Sequence, residues 1–486
     1  MFYHSTRSCD AQVDSAQAVL SGLAPDGGLY VPSVLPAVDV QKILTLDTMS
    51  MATQIIGALL PDIENMDMLV RRAYTGKFQT EELTPTVDTG RFTVLELFRG
   101  PTSAFKDVAL CMLPQLLTAA KKQKGMDEDI LILTATSGDT GKAALAGFQD
   151  VEGVKICVFY PEGGVSAVQR AQMVTQEGNN VAVCAVVGNF DDAQTGVKNI
   201  FAAAKDGCLP DGNRCRLSTA NSINIGRLAP QITYYFKAYA DLLDRGTICF
   251  GDEVNFCVPT GNFGDILAGW LAKKLGLPVG KLVCASNANN VLTDFIRTGT
   301  YDRRRPLHKT ISPSMDILVS SNLERLLYFL SDCDTALVAE LMGKLNREGV
   351  YTVPDALKAA IADEFWAGFC DDDRAEKTIA SVFEKYGYLC DTHTATGWAV
   401  AEDYVASSAD TRPMVVLSTA SAYQFPAAVL AALEGESDDD EFAKMARLQE
   451  KTGVPIPANL NGLQEKPERH KSVIEKDKML DFVMAL

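Results

Sequence analysis

The sequence predicts an α/β protein built on open parallel sheets, and three observations carry that prediction. From about residue 93 onward, a short β-rich run, a glycine-containing loop and a segment of helical periodicity recur in that order. The β-rich runs are almost continuously apolar, as strands covered on both faces must be. Finally, 486 residues that are 47% hydrophobic and 22% charged suffice for a large core in two or three domains. Strands alternating with returning helices make a parallel sheet with crossover connections.

Residues 1–92 have a different texture, with helix-like stretches over 11–23 and 49–60 and a "PDGG" turn at Pro25–Gly28, and are expected to form an extra N-terminal domain. A first α/β domain is assigned to 93–215, where "ILILTAT" (130–136), "VKICVFY" (154–160) and "VAVCAVV" (181–187) read as strands. A second is assigned to 216–434, with strands at "VNFCVPT" (254–260), "KLVCASN" (281–287) and "MVVLSTA" (414–420). Within it, amphipathic spacing in "LERLLYFL" and "ALVAELMGKL" marks 322–388 as a helical insertion. The charged segment 435–486 reads as solvated helices or a tail and is assigned no chemistry.

Composition narrows the function. A formal net charge of −17, from 62 acidic and 45 basic residues, disfavours nucleic acid or an anionic membrane as a general partner. No apolar run reaches the ~18 residues of a membrane span and the first residues lack a signal-peptide pattern, so a soluble, cytoplasmic protein is expected. Twelve cysteines without a C-x-x-C pair suit reduced thiols. Four scattered histidines without H-E-x-x-H spacing give no metal site.

Four stretches carry candidate chemistry. In "LFRGPTSAFKDVAL", Lys106 stands among small and apolar residues. A surface or strand-end lysine is one reading; the other is a reactive amine, whose pKa partial burial lowers. In an open parallel sheet, ligands bind beyond the carboxyl ends of strands, which draws attention to the loops there. "TSGDTGKAALAGF" is a strand-to-helix turn in which Asp139 or Thr140 caps the helix or the turn faces an anion. Gly138 and Gly141 are too close for the G-x-x-x-x-G-K-[ST] pattern, and Ala143 follows Lys142, so ATP is not indicated. In "VPTGNFGDILAGW", Gly261 and Gly264 bracket Asn262 and Phe263 before a helix, serving either turn geometry or close approach to a small anion. No G-x-G-x-x-G is present, so a dinucleotide is less favoured than a mononucleotide-sized phosphate. In "VVLSTASAYQF", Ser418 and Thr419 place hydroxyls at a strand end, where local backbone bonding is the ordinary use. Together, a lysine in an apolar setting, an anion-sized glycine loop and strand-end hydroxyls suit pyridoxal phosphate.

With these motifs assembled, the chain resembles the threonine synthase family over nearly its whole length, through "STRS", "GLAPDGGLYVP", "GPTSAFKD", "TATSGDTGKAAL", "YPEGGVS", "NSINIGRL", "PTGNFGD" and "SPSMDILVSSNLERLL". The resemblance implies fold type II of the pyridoxal-phosphate enzymes, two open parallel-sheet domains flanking a cofactor cleft. Lys106 looks like the Schiff-base lysine, and Gly261, Asn262, Phe263, Gly264 and Asp265 are similar to the cofactor-phosphate loop. Asp139 resembles the residue near the cofactor's phenolic oxygen, Ser137 and Thr140 those near the substrate carboxylate, and Thr419 the partner of the pyridine nitrogen. Two departures stand out: Gln424 occupies the lysine position of the T-A-H-P-A-K-F or T-A-S-P-Y-K-F pattern, and Arg99 a position where histidine is frequent.

The implied reaction is conversion of O-phospho-L-homoserine and water to L-threonine and phosphate. A phospholyase of the same fold, making a 2-oxo acid from that substrate or from phosphothreonine, is the alternative. A catalytically silent binding protein of this fold is a further rival, disfavoured by intact Lys106, Gly261, Gly264 and Thr419. Arg227 and Arg325 are candidates for the substrate phosphate, with structural ion pairing as their other reading. The oligomeric state, monomer or homodimer, is left open.

Overall fold

The computed structural model describes residues 1–204, 208–209 and 215–486. Two open sheets form its frame. The larger has six strands in the order Phe365–Phe369, Val279–Ser286, Val254–Pro259, Met414–Ser418, Thr93–Glu96 and Thr86–Asp88. All its neighbours are parallel except the last pair, an antiparallel hairpin. The smaller sheet is wholly parallel, in the order Ser472–Glu475, Val181–Val187, Val154–Pro161, Asp129–Ala135 and Cys215–Ser218. Val254–Pro259 and Met414–Ser418 are buried at every residue, which accounts for their unbroken apolar sequence.

The sheets do not follow the linear division expected from sequence. Thr93–Glu96, placed at the start of the first α/β domain, pairs with Met414–Ser418 in the larger sheet. Residues 322–388 contain four helices but also Phe365–Phe369, the edge strand beside Val279–Ser286. The C-terminal segment is not merely a tail, because Ser472–Glu475 pairs in parallel with Val181–Val187. In each case the partner is distant in the chain, and pairing depends on apolar faces that local periodicity cannot assign. The N-terminal part opens with an antiparallel sheet, Ser8–Asp14, Phe2–Ser5 and Tyr30–Pro32. The helix expected over 11–23 is shorter, Ser15–Ser21, because Asp14 accepts from Gln17 N at 2.8 Å and caps it there. The helix expected over 49–60 is Thr48–Leu59, similarly capped by Asp47.

Two helices that begin at the cleft, Lys106–Gln123 and Asp139–Phe148, pack closely for a definable reason. Pro114 lacks the N–H that would reach the carbonyl of Leu110 four residues earlier. Gly147 lies against that carbonyl, and a Cβ there would stand 2.1 Å from Leu110 O. The missing donor and the missing side chain let the helices approach, which sets their first residues, Lys106 and Asp139, side by side.

Candidate active site

The loop before Lys106 is fixed by the next residue. Asp107 accepts from Thr102 N at 2.9 Å and Thr102 Oγ1 at 2.6 Å, folding "GPTS" back over the start of its helix. Burial pushes the Asp107 carboxyl up to about 6, with the two Thr102 bonds opposing. Ser103 adopts a left-handed φ of 59°, and its hydroxyl is held by Asn459 Nδ2 at 2.9 Å. Asn459 Nδ2 also donates to Pro101 O at 2.9 Å, so the segment assigned no chemistry pins the lysine loop. Phe105 N donates to Thr419 O at 2.8 Å, tying this loop to the end of Met414–Ser418.

Lys106 is half-buried. Its Nζ stands 3.5 Å from Asp139 Oδ2 and 3.4 Å from Ser314 Oγ, over the Phe105 ring. Burial lowers its pKa from the ordinary lysine value; the Asp139 carboxylate opposes this, and the cations Arg227 and Lys142 add to it. A larger fraction of the amine is therefore unprotonated and nucleophilic.

Asp139 collects most of the site. It does not cap its helix; Thr136 Oγ1 does that work, accepting from Gly138 N and Gly141 N at 2.9 Å each. Asp139 Oδ1 meets Lys142 Nζ at 2.9 Å and Gln169 Nε2 at 3.1 Å, while Oδ2 accepts from Ser314 Oγ at 2.6 Å. Burial alone would raise this carboxyl, but Lys142, Lys106 and His393, with the Ser314 bond, hold it well below the usual carboxylate range. Behind Ser314, its backbone N–H donates to His393 Nε2 at 3.1 Å, and His393 Nδ1 faces Asp391 Oδ2 at 2.8 Å. Ser137 is exposed and Thr140 partly so, at the mouth of the same turn.

The second turn, Gly261–Asp265, closes the larger sheet's strand Val254–Pro259 and opens the helix Gly264–Lys274. Phe263 takes a left-handed φ of 65°. Gly261 is required by packing, because a Cβ would come 2.6 Å from Ser314 O. An added Cβ on Gly264 would meet nothing nearer than Asn322 Nδ2 at 3.5 Å. Among the described residues, the N–H groups of Asn262, Phe263 and Gly264 have no acceptor. Free N–H groups at a helix start, with an open side where Gly264 lacks a Cβ, fit a phosphate. Asp265 lies within this loop, its carboxyl accepting from Ile266 N at 2.9 Å. Burial raises it to about 7, so at neutral pH much of it carries no charge against an anion. Thr419 is buried, and its hydroxyl takes no hydrogen-bond partner among the described residues.

The two candidate arginines separate. Arg325 is fully buried and all three of its nitrogens are engaged: Nε donates to Tyr30 O at 3.0 Å, Nη1 to Asn322 Oδ1 at 2.5 Å and Nη2 to Ile223 O at 2.6 Å. Its structural reading holds rather than the phosphate-binding one, because the backbone carbonyls of Tyr30 and Ile223 and the side chain of Asn322 take its donors. Through Asn322, whose Nδ2 donates to Asn262 O at 3.1 Å, it braces the glycine loop. Arg227, by contrast, has one side-chain bond, from Nη1 to Ala220 O at 2.8 Å, and its buried Nε is unpaired among the described residues. Burial pulls it down to about 10, and among the described residues no carboxylate offsets that desolvation. A buried guanidinium without a counter-ion is suited to an anionic ligand.

Reasoning from residues alone gave no role to Ser314, His393, Asp391, Lys142, Gln169 or Asn459. Ser314 sits in the quoted "SPSMD" and His393 is one of only four histidines, which are the available signals. Nothing local distinguishes the others.

These features define a pyridoxal-phosphate-dependent enzyme of the open α/β class, and residues 77–364 match the family described as pyridoxal-phosphate dependent enzyme. Residues 2–74 match the threonine synthase N terminus and residues 394–483 the threonine synthase C-terminal family. The chain belongs to the threonine synthase family. It is 38% identical to the threonine synthase of Pseudomonas aeruginosa, with 96% of this chain and 95% of that protein covered. The crystal structure of the PLP-bound threonine synthase from Brucella melitensis superposes with a TM-score of 0.87 at 38% identity, covering 100% of this chain and 98% of that one. Human threonine synthase-like 1 is 36% identical over 97% of this chain, which spans 64% of that relative's length.

Proposed function

We propose that this chain converts O-phospho-L-homoserine and water to L-threonine and phosphate, with pyridoxal phosphate as cofactor. The observation that carries the reading is Lys106, a half-buried amine facing Asp139, in a protein that resembles threonine synthases along its full length. Lys106 would hold the cofactor's aldehyde, Asn262, Phe263 and Gly264 its phosphate, and Thr419 its pyridine nitrogen. Bound there, pyridoxal phosphate supplies an aldehyde for amine exchange and a ring that stores electrons.

This chain's residues do the rest. The Lys106 amine, when free, can carry protons at the substrate's Cα and Cβ, with Asp139 and Ser314 fixing where Nζ points. Ser137 and Thr140, at the mouth of their turn, would bind the substrate carboxylate. Arg227 would meet the departing phosphate, its Nε, unpaired among the described residues, supplying a charge-assisted donor. The buried surroundings exclude water until it is needed at Cβ. Twelve unpaired cysteines and the absence, among the described residues, of a helix able to cross a membrane suit action in the cytoplasm.

Incubating the purified protein with pyridoxal phosphate and O-phospho-L-homoserine tests this. The expected products are threonine and an equal amount of phosphate, with homoserine left unconverted because hydroxide is a poor leaving group. A 2-oxo acid as the main product would favour the phospholyase. Arg227→Ala should raise KM for the phosphosubstrate by about tenfold or more while the cofactor absorbance stays as in the parent.

A further inference from the structure

The proposed reaction gives Lys142 no task, yet its position is expensive. Its side chain is wholly enclosed, and an ammonium at that depth is tolerated only when paired. Nζ meets Asp139 Oδ1 at 2.9 Å and Gln424 Oε1 at 2.5 Å. Gln424 is equally buried, and its Nε2 donates to Thr102 O at 2.9 Å, on the loop that leads into Lys106. Asp139 therefore has one lysine on each oxygen, Lys142 at Oδ1 and Lys106 at Oδ2.

The two lysines are not equivalent. Lys106 gives up its ammonium whenever its nitrogen acts as a nucleophile, and at that moment Asp139 would lose a counter-ion in a buried place. Lys142 takes no part in that exchange and stays in contact with Asp139 Oδ1 and Gln424 Oε1. Position 424 is where the family pattern quoted above carries lysine. A lysine there would set a second ammonium against Lys142, whereas the glutamine presents an acceptor oxygen.

We propose that Lys142 is a positioning residue: with Gln424 as its acceptor, it holds Asp139 by Oδ1 so that Oδ2 stays aimed at Lys106. This rests on Lys106 being the cofactor lysine, and is independent of which substrate is turned over. The charged and titratable groups facing these residues are Lys142 itself, Asp107 from the helix Lys106–Gln123, His393 from the helix Thr392–Ser408, Arg227 from the helix Ile225–Asp244 and, toward Lys106, Asp265. Ser314 and Gln169 complete the neutral contacts.

A fixed cation next to Lys106 disfavours its protonated form and competes with it for Asp139. Removing Lys142 should thus raise the pH at which Lys106 becomes reactive. The test is acetylation of the full chain, freed of cofactor, by trace acetic anhydride across a pH series, with the Lys106 peptide quantified by mass spectrometry. Lys142→Met is expected to move the Lys106 midpoint upward by about one pH unit or more. Gln424→Lys alone should lower the melting temperature, and Lys142→Met with Gln424→Lys should bring both quantities back toward the parent. An unchanged midpoint in Lys142→Met, or a double variant no better than the worse single one, overturns the proposal. If Lys142→Met does not fold, the double variant decides: a folded protein with the parental midpoint upholds the role, and any other result overturns it. Acetylation needs no O-phospho-L-homoserine, so a protein that makes no threonine but shows the shift would lose the proposed reaction and keep this role for Lys142.

Discussion

Two turns of the same construction meet at the cleft and treat charge in opposite ways. Each follows a buried parallel strand, contains two glycines and places an aspartate in the first turn of the next helix: Asp139 after Asp129–Ala135, and Asp265 after Val254–Pro259. Asp139 is held ionised, far below the ordinary carboxylate range, because two lysines and a serine hydroxyl face it against the cost of burial. Asp265 is pushed up to about 7, because backbone N–H groups and the Lys106 ammonium offset its burial only in part. One turn keeps an anion to orient a lysine. The other keeps its backbone N–H groups open and its carboxyl largely uncharged, which suits an anion arriving from outside. The lesson is that strand, glycine and acid specify the shape of such a turn, and side chains from elsewhere specify its charge.

The comparison can be broken most forcefully at Lys106. Lys106→Ala should leave the cofactor without a covalent link and lower turnover by on the order of a thousandfold, with proton transfer lost. Borohydride reduction of the parent followed by peptide mapping should put the pyridoxyl label on Lys106; a label on another lysine would refute the assignment of that turn.

The two aspartates offer a smaller effect with a sign. Asp139→Asn leaves two lysines facing a neutral amide and should destabilise the protein by about 3 kcal/mol at neutral pH. The folded pKa of Asp139 is depressed, so its contribution is fully present above the ordinary carboxylate value near 4 and fades as pH falls toward the folded value. The deficit of Asp139→Asn in denaturant melts should shrink accordingly in acid. Asp265 has the reverse linkage: its raised pKa favours the folded state below about 4, and that advantage is lost as pH rises through about 7. Asp265→Asn should therefore gain stability relative to the parent between those values. A loss there instead would mean that Asp265 is an ionised, paired carboxylate.

The smallest effect separates the glycines of the second turn. Gly264→Ala adds a methyl that meets only ordinary contacts, so the melting temperature without cofactor should hold while pyridoxal phosphate is retained about tenfold less tightly in dialysis. Gly261→Ala forces Ser314 O away and should lower the melting temperature even without cofactor. Equal cofactor retention in Gly264→Ala and the parent would show that the phosphate lies elsewhere.

Much of this protein is written in short stretches of its sequence. Apolar runs such as "VAVCAVV" coincide with the strand Val181–Val187, and "GNFGD" marks a glycine turn before a helix, because hydrophobic period and glycine placement are local properties. The strand Thr93–Glu96 changed sheets, and Ser472–Glu475 became an edge strand, because pairing is settled by faces that meet only after collapse. The same holds at the site. Lys106 and Asp139 belong to recognisable motifs, but nothing near Arg227 or Arg325 in the chain tells which keeps a free donor. Only the folded molecule brings Tyr30 and Ile223 to Arg325 and leaves Arg227 Nε unpaired among the described residues. Nor could the "SGDTGK" stretch reveal that Lys142 shares a carboxylate with Lys106 and lies against Gln424. Sequence fixes which groups can ionise, but burial and long-range partners fix which of them do, since desolvation and Coulomb interactions act through space and not along the chain.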